Sequence, residues 1–418
     1  MTLCLFEDAT VAHLAPLTLT RAACDLRVGA RTLGEAAVAL LAPEAPVALL
    51  VRPEVAGVAA DEHPRWTVNA APAGPTLFVS ARWLARPGGL AAALVRIARG
   101  GAAEPARAFV TPEGALLALW HPAASARLVG ADGMLTVPDG VPTEQAAATT
   151  IDRLWDVVAD LPARIEYDVL ALGRLGTADG ATVHGGAHVV APHEVFLGPG
   201  VTVRAGAVVD ASDGPVHLAA GVTVESNAVL RGPLFLGPKT TVKALARVDG
   251  SAAGEQCRLG GEVHESTLHS FASKGHDGYL GNSALGRWTN LGAATDTSNL
   301  KNDYGEVTLY DPVARDFVAS GRQFLGLVMG DHSKCAIHTA FSTGTVVGVF
   351  ANVFGSGVPP RHVPSFAWGG GEGLAPYRID KAMRVAEAVE ARRGRAVSDA
   401  ERALLAWIAA SPHASLSP

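Results

Sequence analysis

LAAGVTVESNAVLRGPLFLGPKTTVKALARV, residues 218–248, sets an aliphatic side chain at every sixth position: Leu218, Val224, Leu230, Leu236, Val242 and Val248. Small or turn-forming residues follow each one, as in LAAGVT (218–223) and LGPKTT (236–241). A period of six fits neither the alternation of an ordinary strand nor the 3.6-residue turn of a helix. It fits a three-sided parallel β-helix, in which three hexads make one coil and each aliphatic side chain points into the prism. Outward from that stretch the rhythm continues upstream through Val183, Val189, Leu197, Val203 and Val209, and returns downstream at LGGEVH (259–264), LGRWTN (285–290) and LGAATD (291–296). The segments 211–217, 250–257, 265–279 and 300–328 break the spacing and read as insertions, the places where sites are assembled on a regular scaffold. Irregular strands of a Gly-rich sandwich are the competing reading.

On the amino-terminal side the pattern changes. LCLF (3–6), VALLV (47–51), TLFVS (76–80) and RAFVT (107–111) read as strands, and TLGEAAVALLA (32–42) and GLAAALVRIARG (89–100) as helices. Strand and helix in turn imply a partly parallel α/β sheet. A further helical stretch spans 151–172. After 355 the coils end in PP and GGG, and 378–410 reads as two helices, with Ser398 and Glu401 forming a capping box. Three parts follow: an α/β domain at 1–175, a β-helix at 176–357 and a helical tail at 358–418 that covers the open end of the solenoid.

The 418 residues carry a net charge of −6, which excludes affinity built on phosphate neutralisation and with it a nucleic-acid binder. Cys4, Cys24, Cys257 and Cys335 are scattered without a CxxC pair and read as reduced, structural thiols. Glu7 and Asp8 stand where a signal peptide would carry base, and the longest apolar run, AAVALLAPEAPVALLV (36–51), is interrupted by Pro43, Glu44 and Pro46. The expectation is a cytoplasmic protein without a membrane span.

One stretch carries chemistry, SKGHDGYLGNSALGRWTNLGAATDTSNLKNDYG (273–305). Here Lys274, His276 and Tyr279 precede repeats holding Asn290 and Asn299. An imidazole can take a proton from an attacking amine, while Lys, Tyr and Asn side chains can hold a sugar phosphate. Taken alone, the same residues read as a surface histidine and turn-forming asparagines of a β-helix.

These residues resemble the acetyltransferase domain of the bifunctional family that makes UDP-N-acetylglucosamine from glucosamine-1-phosphate, and in particular its alternative bacterial branch. HDGYLG (276–281), NLGAAT (290–295), NLKNDYG (299–305), AIHTAFSTGTVVGVFANVFG (336–355) and PSFAWG (364–369) carry the resemblance. It implies a left-handed β-helix and a homotrimer with its sites between neighbouring solenoids. It further implies that His276 is the general base, that Lys274, Tyr279, Asn290, Asn299 and Arg247 bind the sugar phosphate, and that the Ala293 and Ala294 amides bind acetyl-CoA. Two departures stand out: His264 takes a lysine position of the family, and Ala294 takes a glycine of NLGAGT.

PLTLTRAACDLRVG (16–29) resembles the segment after the glycine-rich loop of sugar-1-phosphate nucleotidyltransferases, which are Rossmann-like α/β domains. The loop itself is missing, and LFEDATVAHLA (5–15) stands in its place without a glycine. Ser80 replaces the asparagine usual in the alternative branch. The resemblance implies uridylyl transfer from UTP, with Arg21, Asp25 and Arg27 at the nucleotide and Mg²⁺ on carboxylates such as Asp8 or Asp25. Arg21 and Arg27 read equally well as structural ion-pair residues. Other readings are a sugar-1-phosphate nucleotidyltransferase of different specificity, a non-catalytic trimer that binds nucleotide sugars, and a zinc site at His264 and His269 completed by His276, His332 or His338 of a neighbouring chain.

Overall fold

The computed structural model describes residues 1–41, 44–123, 128 and 135–416. In the amino-terminal domain, strands Thr2–Phe6, Val47–Leu50, Thr67–Val68 and Thr76–Ser80 run parallel. Leu116–His121 and Arg107–Val110 continue the sheet antiparallel. Leu116–His121 has no counterpart among the strands read from the sequence; it follows Arg107–Val110 by a short turn and buries four consecutive residues, so it shows no alternation. The helix expected at 32–42 is Leu33–Leu41, with Ala42 outside the described residues. The stretch 151–172 is two elements, a short 3₁₀ turn at Leu154–Val157 and the helix Leu161–Leu172. Asp160, with φ 49°, separates them just before Pro162, where a continuous helix would lose a donor and meet the proline ring.

From Thr177 the chain winds as a left-handed parallel β-helix with three faces. Leu197, Leu218 and Leu236 stack down the inner side of the first face; Val203, Val224 and Val242 line the second, and Val209, Leu230 and Val248 the third. From Leu218 to Val248 all six repeat residues are at most 1% exposed. Burying each contributes on the order of 1.5–3 kcal/mol, so every hexad holds its own coil. At the first coil the rhythm outruns the core: Val183 is 44% exposed because no earlier coil covers it.

Strand register measures each coil. Val195 pairs with Val216 and Val216 with Leu234, so the segment 211–217 adds three residues to an 18-residue coil. Ala284 pairs with Val328, and the long excursion holds an antiparallel hairpin, Thr308–Asp311 with Asp316–Ala319. The segments 250–257 and 265–279 differ from expectation: Phe235 pairs with Ala252, Ala252 with Thr267 and Thr267 with Ala284, so these coils are shorter than 18 residues and nothing protrudes. Their corners are pared down to glycine. A Cβ on Gly261 would sit 2.5 Å from the Gly278 carbonyl, and one on Gly278 2.1 Å from that of Thr295.

The coils run on to Ala367–Gly370, and the hairpin that this strand makes with Gly373–Pro376 closes the last coil, Leu374 packing on the prism interior. The helices Ile379–Ala391 and Asp399–Ala410 therefore do not cap the solenoid end. Leu404, Leu405 and Ile408 join one core with Val55 and Ala59 of the amino-terminal domain and with Phe350 and Phe366 from corners of the late coils. Ser398 caps the second helix as expected, accepting a hydrogen bond from the Glu401 amide.

Candidate functional site

His276 stands at the corner between the second and third faces. It is exposed, and its imidazole has no hydrogen-bond partner among the described residues. Lys274 explains why that corner is fixed. Its register partner is Leu259, so it occupies an inward position that other coils fill with Val or Leu, and it is 1% exposed. Inside the prism its Nζ donates to the carbonyls of Gly260 at 3.1 Å, His276 at 2.6 Å and Asp277 at 3.1 Å. Burial pushes the ammonium down to about 8. Lys274 is thus not a ligand-binding residue in this arrangement: all three of its donors are spent on the backbone that carries His276.

The third face presents a polar network just beyond the corner. Asn299 Nδ2 donates to the Tyr279 hydroxyl at 3.1 Å and to Asn282 Oδ1 at 2.6 Å, and Asn282 Nδ2 donates to Glu265 Oε2 at 2.9 Å. The Tyr279 ring lies over Gly281, where a Cβ would be 2.3 Å from its hydroxyl oxygen; only glycine lets the ring lie flat. Burial raises the Tyr279 phenol, so it remains protonated and able to donate. Arg247 lies on the same outer face, paired through Glu262 to Tyr279, about 10 Å away at two strand spacings. Asn290 is elsewhere. It bridges Ser273 and Lys334 on the outer side of the second face. Sequence spacing assembled these residues as one set, whereas the prism divides them between two faces that meet at His276.

The acetyl-CoA expectation divides too. The Ala294 amide donates to the Asp277 carbonyl at 3.1 Å and is not free, because the tight coil uses it as a rung. The Ala293 carbonyl accepts from the His338 amide. His264 binds Asp249, which raises its pKa, and lies on the third face; His269 is buried inside the structure and held neutral by desolvation. They do not converge. Among the described residues the metal-capable groups are Cys24 with Asp25 and His63, and His332 with Glu390 and Glu401.

In the amino-terminal domain the residues expected at a nucleotide are joined to other parts of the protein. Arg21 is buried and paired with Asp331 of the β-helix, which also accepts from Thr20 at 2.8 Å. Arg27 binds the Ala30 carbonyl, lies over Phe235, and its own carbonyl accepts from Thr267. Asp25 accepts from His63 at 2.8 Å. The loop after the first strand is filled rather than open. Val11, Leu14, Leu17 and Leu19 are buried, Glu7 accepts from the Ala23 amide, and Arg52 donates to Glu7 and to the Thr18 and Arg21 carbonyls. Asp8 takes two bonds from Arg82. Asp8, with both oxygens bonded to Arg82, does not fit a Mg²⁺ site, which needs oxygens free to face the ion and its waters; Asp25 stands with Cys24 and His63, a thiol and an imidazole that suit a softer ion than Mg²⁺. The signal missed by motif reading was the partner itself, Asp331, some 310 residues away.

Residues 3–174 match the family model described as sugar nucleotidyl transferase. The bifunctional sugar-1-phosphate nucleotidylyltransferase/acetyltransferase of Sulfurisphaera tokodaii is 31% identical over 102 residues, 24% of this chain and 25% of that protein. The bifunctional protein GlmU of Synechococcus elongatus is 26% identical over 194 residues, 45% of this chain and 34% of that protein. The chain thus matches about a quarter to a third of the length of these curated relatives. Among solved structures, the UDP-N-acetylglucosamine acyltransferase of Arabidopsis aligns at 16% identity and a TM-score of 0.20, covering 50% of this chain and 75% of that one. That of Francisella novicida aligns at 14% and 0.21, covering 51% and 72%. No described helix is long and apolar enough to cross a membrane. The chain therefore joins a domain that matches the sugar nucleotidyl transferase model over residues 3–174 to a left-handed β-helix, and it is similar in part to the bifunctional nucleotidyltransferase–acetyltransferase proteins.

Proposed function

We propose that the protein is a bifunctional sugar-nucleotide transferase whose β-helix moves an acetyl group from acetyl-CoA to the amine of a hexosamine-1-phosphate, glucosamine-1-phosphate being the first candidate. The observation that carries this reading is the corner at His276: an uncommitted, exposed imidazole on a backbone clamped by Lys274 and bordered by Tyr279 and Asn299. The amine nitrogen attacks the thioester carbonyl while His276 takes its proton; collapse of the tetrahedral intermediate forms the amide and releases the CoA thiolate, which is then protonated. Tyr279 and Arg247 supply donors for the sugar phosphate; Asn299, whose two amide hydrogens go to Tyr279 and Asn282, orients the Tyr279 hydroxyl and offers its own carbonyl oxygen to a sugar hydroxyl.

Asn290 lies around the corner from that group, so one small ligand cannot touch Asn290 and Arg247 of the same prism. A homotrimer that sets the second face of one chain against the third face of another would bring both kinds of donor to one cleft, with room for the extended CoA arm. Sedimentation of the purified chain gives the oligomeric state. Incubation with glucosamine-1-phosphate and acetyl-CoA should release free thiol in step with amide formation. No thiol release with any of a panel of amino-sugar phosphates and acyl-CoAs removes the reading.

Uridylyl transfer from UTP rests on the family match of residues 3–174. A second reading, in which this domain is non-catalytic, is favoured by the filled loop and by the pairing of Arg21 with Asp331. Pyrophosphate release from UTP and N-acetylglucosamine-1-phosphate, with Mg²⁺ supplied, decides between them.

A further inference from the structure

Between the amino-terminal domain, the flank of the β-helix and the two carboxyl-terminal helices lies a cavity of about 470 Å³ that the proposed acetyl site does not use. Three of its lining residues are His332, Glu390 and Glu401, and one ligating atom from each lies within 4.8 Å of the other two. They come from separate elements: His332 from a β-helix corner, Glu390 from the last turn of Ile379–Ala391, and Glu401 from the first turn of Asp399–Ala410.

Two details distinguish this group from an incidental acidic cluster. Glu390 is 1% exposed, yet its Oε1 has no hydrogen-bond partner among the described residues. Burial and the neighbouring Glu401 push the Glu390 carboxyl up to about 8, and a cation held between the two would satisfy the orphaned Oε1. The second detail is spacing. His332 Nε2 and Glu401 Oε1 are 3.4 Å apart, long for a charge-assisted hydrogen bond but about the separation of two ligands that share one ion at bonds of ~2.1 Å in tetrahedral geometry. The imidazole is held in plane by stacking on Phe350, with ring centroids 4.5 Å apart.

We propose that His332, Glu390 and Glu401 form a binding site for one divalent cation of the zinc class, with a coordination position open to the cavity. One imidazole and two carboxylates suit a borderline ion such as Zn²⁺ or Co²⁺. Bound there, the ion ties both carboxyl-terminal helices to the β-helix. Beside it, Glu62 bridges Arg287, at 2.6 and 3.1 Å, and Arg395, at 3.7 Å, so the same cavity is closed by a charge network on its other side.

The test uses the full chain, freed of metal with a chelator and titrated with Zn²⁺ by calorimetry and with Co²⁺ by visible absorption. One equivalent per chain should bind, Co²⁺ should give the visible bands of a low-coordinate site, and Zn²⁺ should raise the melting temperature. Glu390→Gln and Glu401→Gln, which keep side-chain shape, should each weaken binding by about 100-fold. His63→Gln, at the other metal-capable group, should leave it unchanged. Absence of saturable binding to the wild-type chain overturns the proposal, as does binding that survives both glutamine variants or is lost in His63→Gln.

Discussion

Two segments carry family-like motifs, the loop at 16–29 and the corner at 273–281, and they have opposite fates. In the first, the charged side chains turn inward to another part of the protein: Arg21 ends on Asp331, and Arg27 on Ala30 and the face of Phe235. In the second, one cation, Lys274, is sacrificed to the backbone so that its neighbour His276 stays free. What separates the two segments is whether the donors and acceptors of the motif are already spent.

The comparison breaks first at His276. His276→Ala should lower acetyl transfer by about 10²–10⁴-fold, the usual contribution of a general base, while denaturant unfolding stays within about 0.5 kcal/mol of wild type. An unchanged rate would mean that the free imidazole is idle. The converse substitution, Arg21→Met, should cost about 3–5 kcal/mol of stability, because it leaves Asp331 buried without its partner. Loss of UTP turnover by this variant with stability intact would instead return Arg21 to a nucleotide. Lys274→Met retains the packing but leaves the Gly260 and His276 carbonyls without a donor, while that of Asp277 keeps the Ala294 amide. It should destabilise by about 1–3 kcal/mol and raise KM and lower kcat together as the corner loosens, measured by unfolding and by initial rates.

The smallest effect concerns His264, whose pKa Asp249 holds above the ordinary value. A raised pKa gives stability that is fully present below about 6.5, the unfolded value, and is lost as pH rises through the folded one. The pair is partly exposed, so the loss should not exceed about 1 kcal/mol, and Asp249→Asn should flatten the stability profile between neutral and acid pH.

The β-helix was legible because each hexad encodes its own burial: a side chain six residues on returns to the interior whatever the rest of the chain does. Coil length was less legible. At 250–283 a broken rhythm signals lost corner residues, at 300–328 it signals an added hairpin, and the two look alike until pairing partners are known. At the candidate site, His276, Tyr279 and Asn299 were readable as local motif residues, whereas the role of Lys274 depends on which way one strand residue points. Arg21 was unreadable for another reason, since its partner lies at the far side of the chain. His332, Glu390 and Glu401 share no motif, and only packing of the helices brings them together.

The core that joins Val55 and Ala59 to Leu404, Leu405 and Ile408 brings together residues some 350 apart in sequence. During synthesis, therefore, the amino-terminal domain emerges before the helices that cover it, and keeps an apolar flank bare until they follow. Meanwhile the solenoid can wind coil by coil behind it, leaving a later segment to fasten an earlier one.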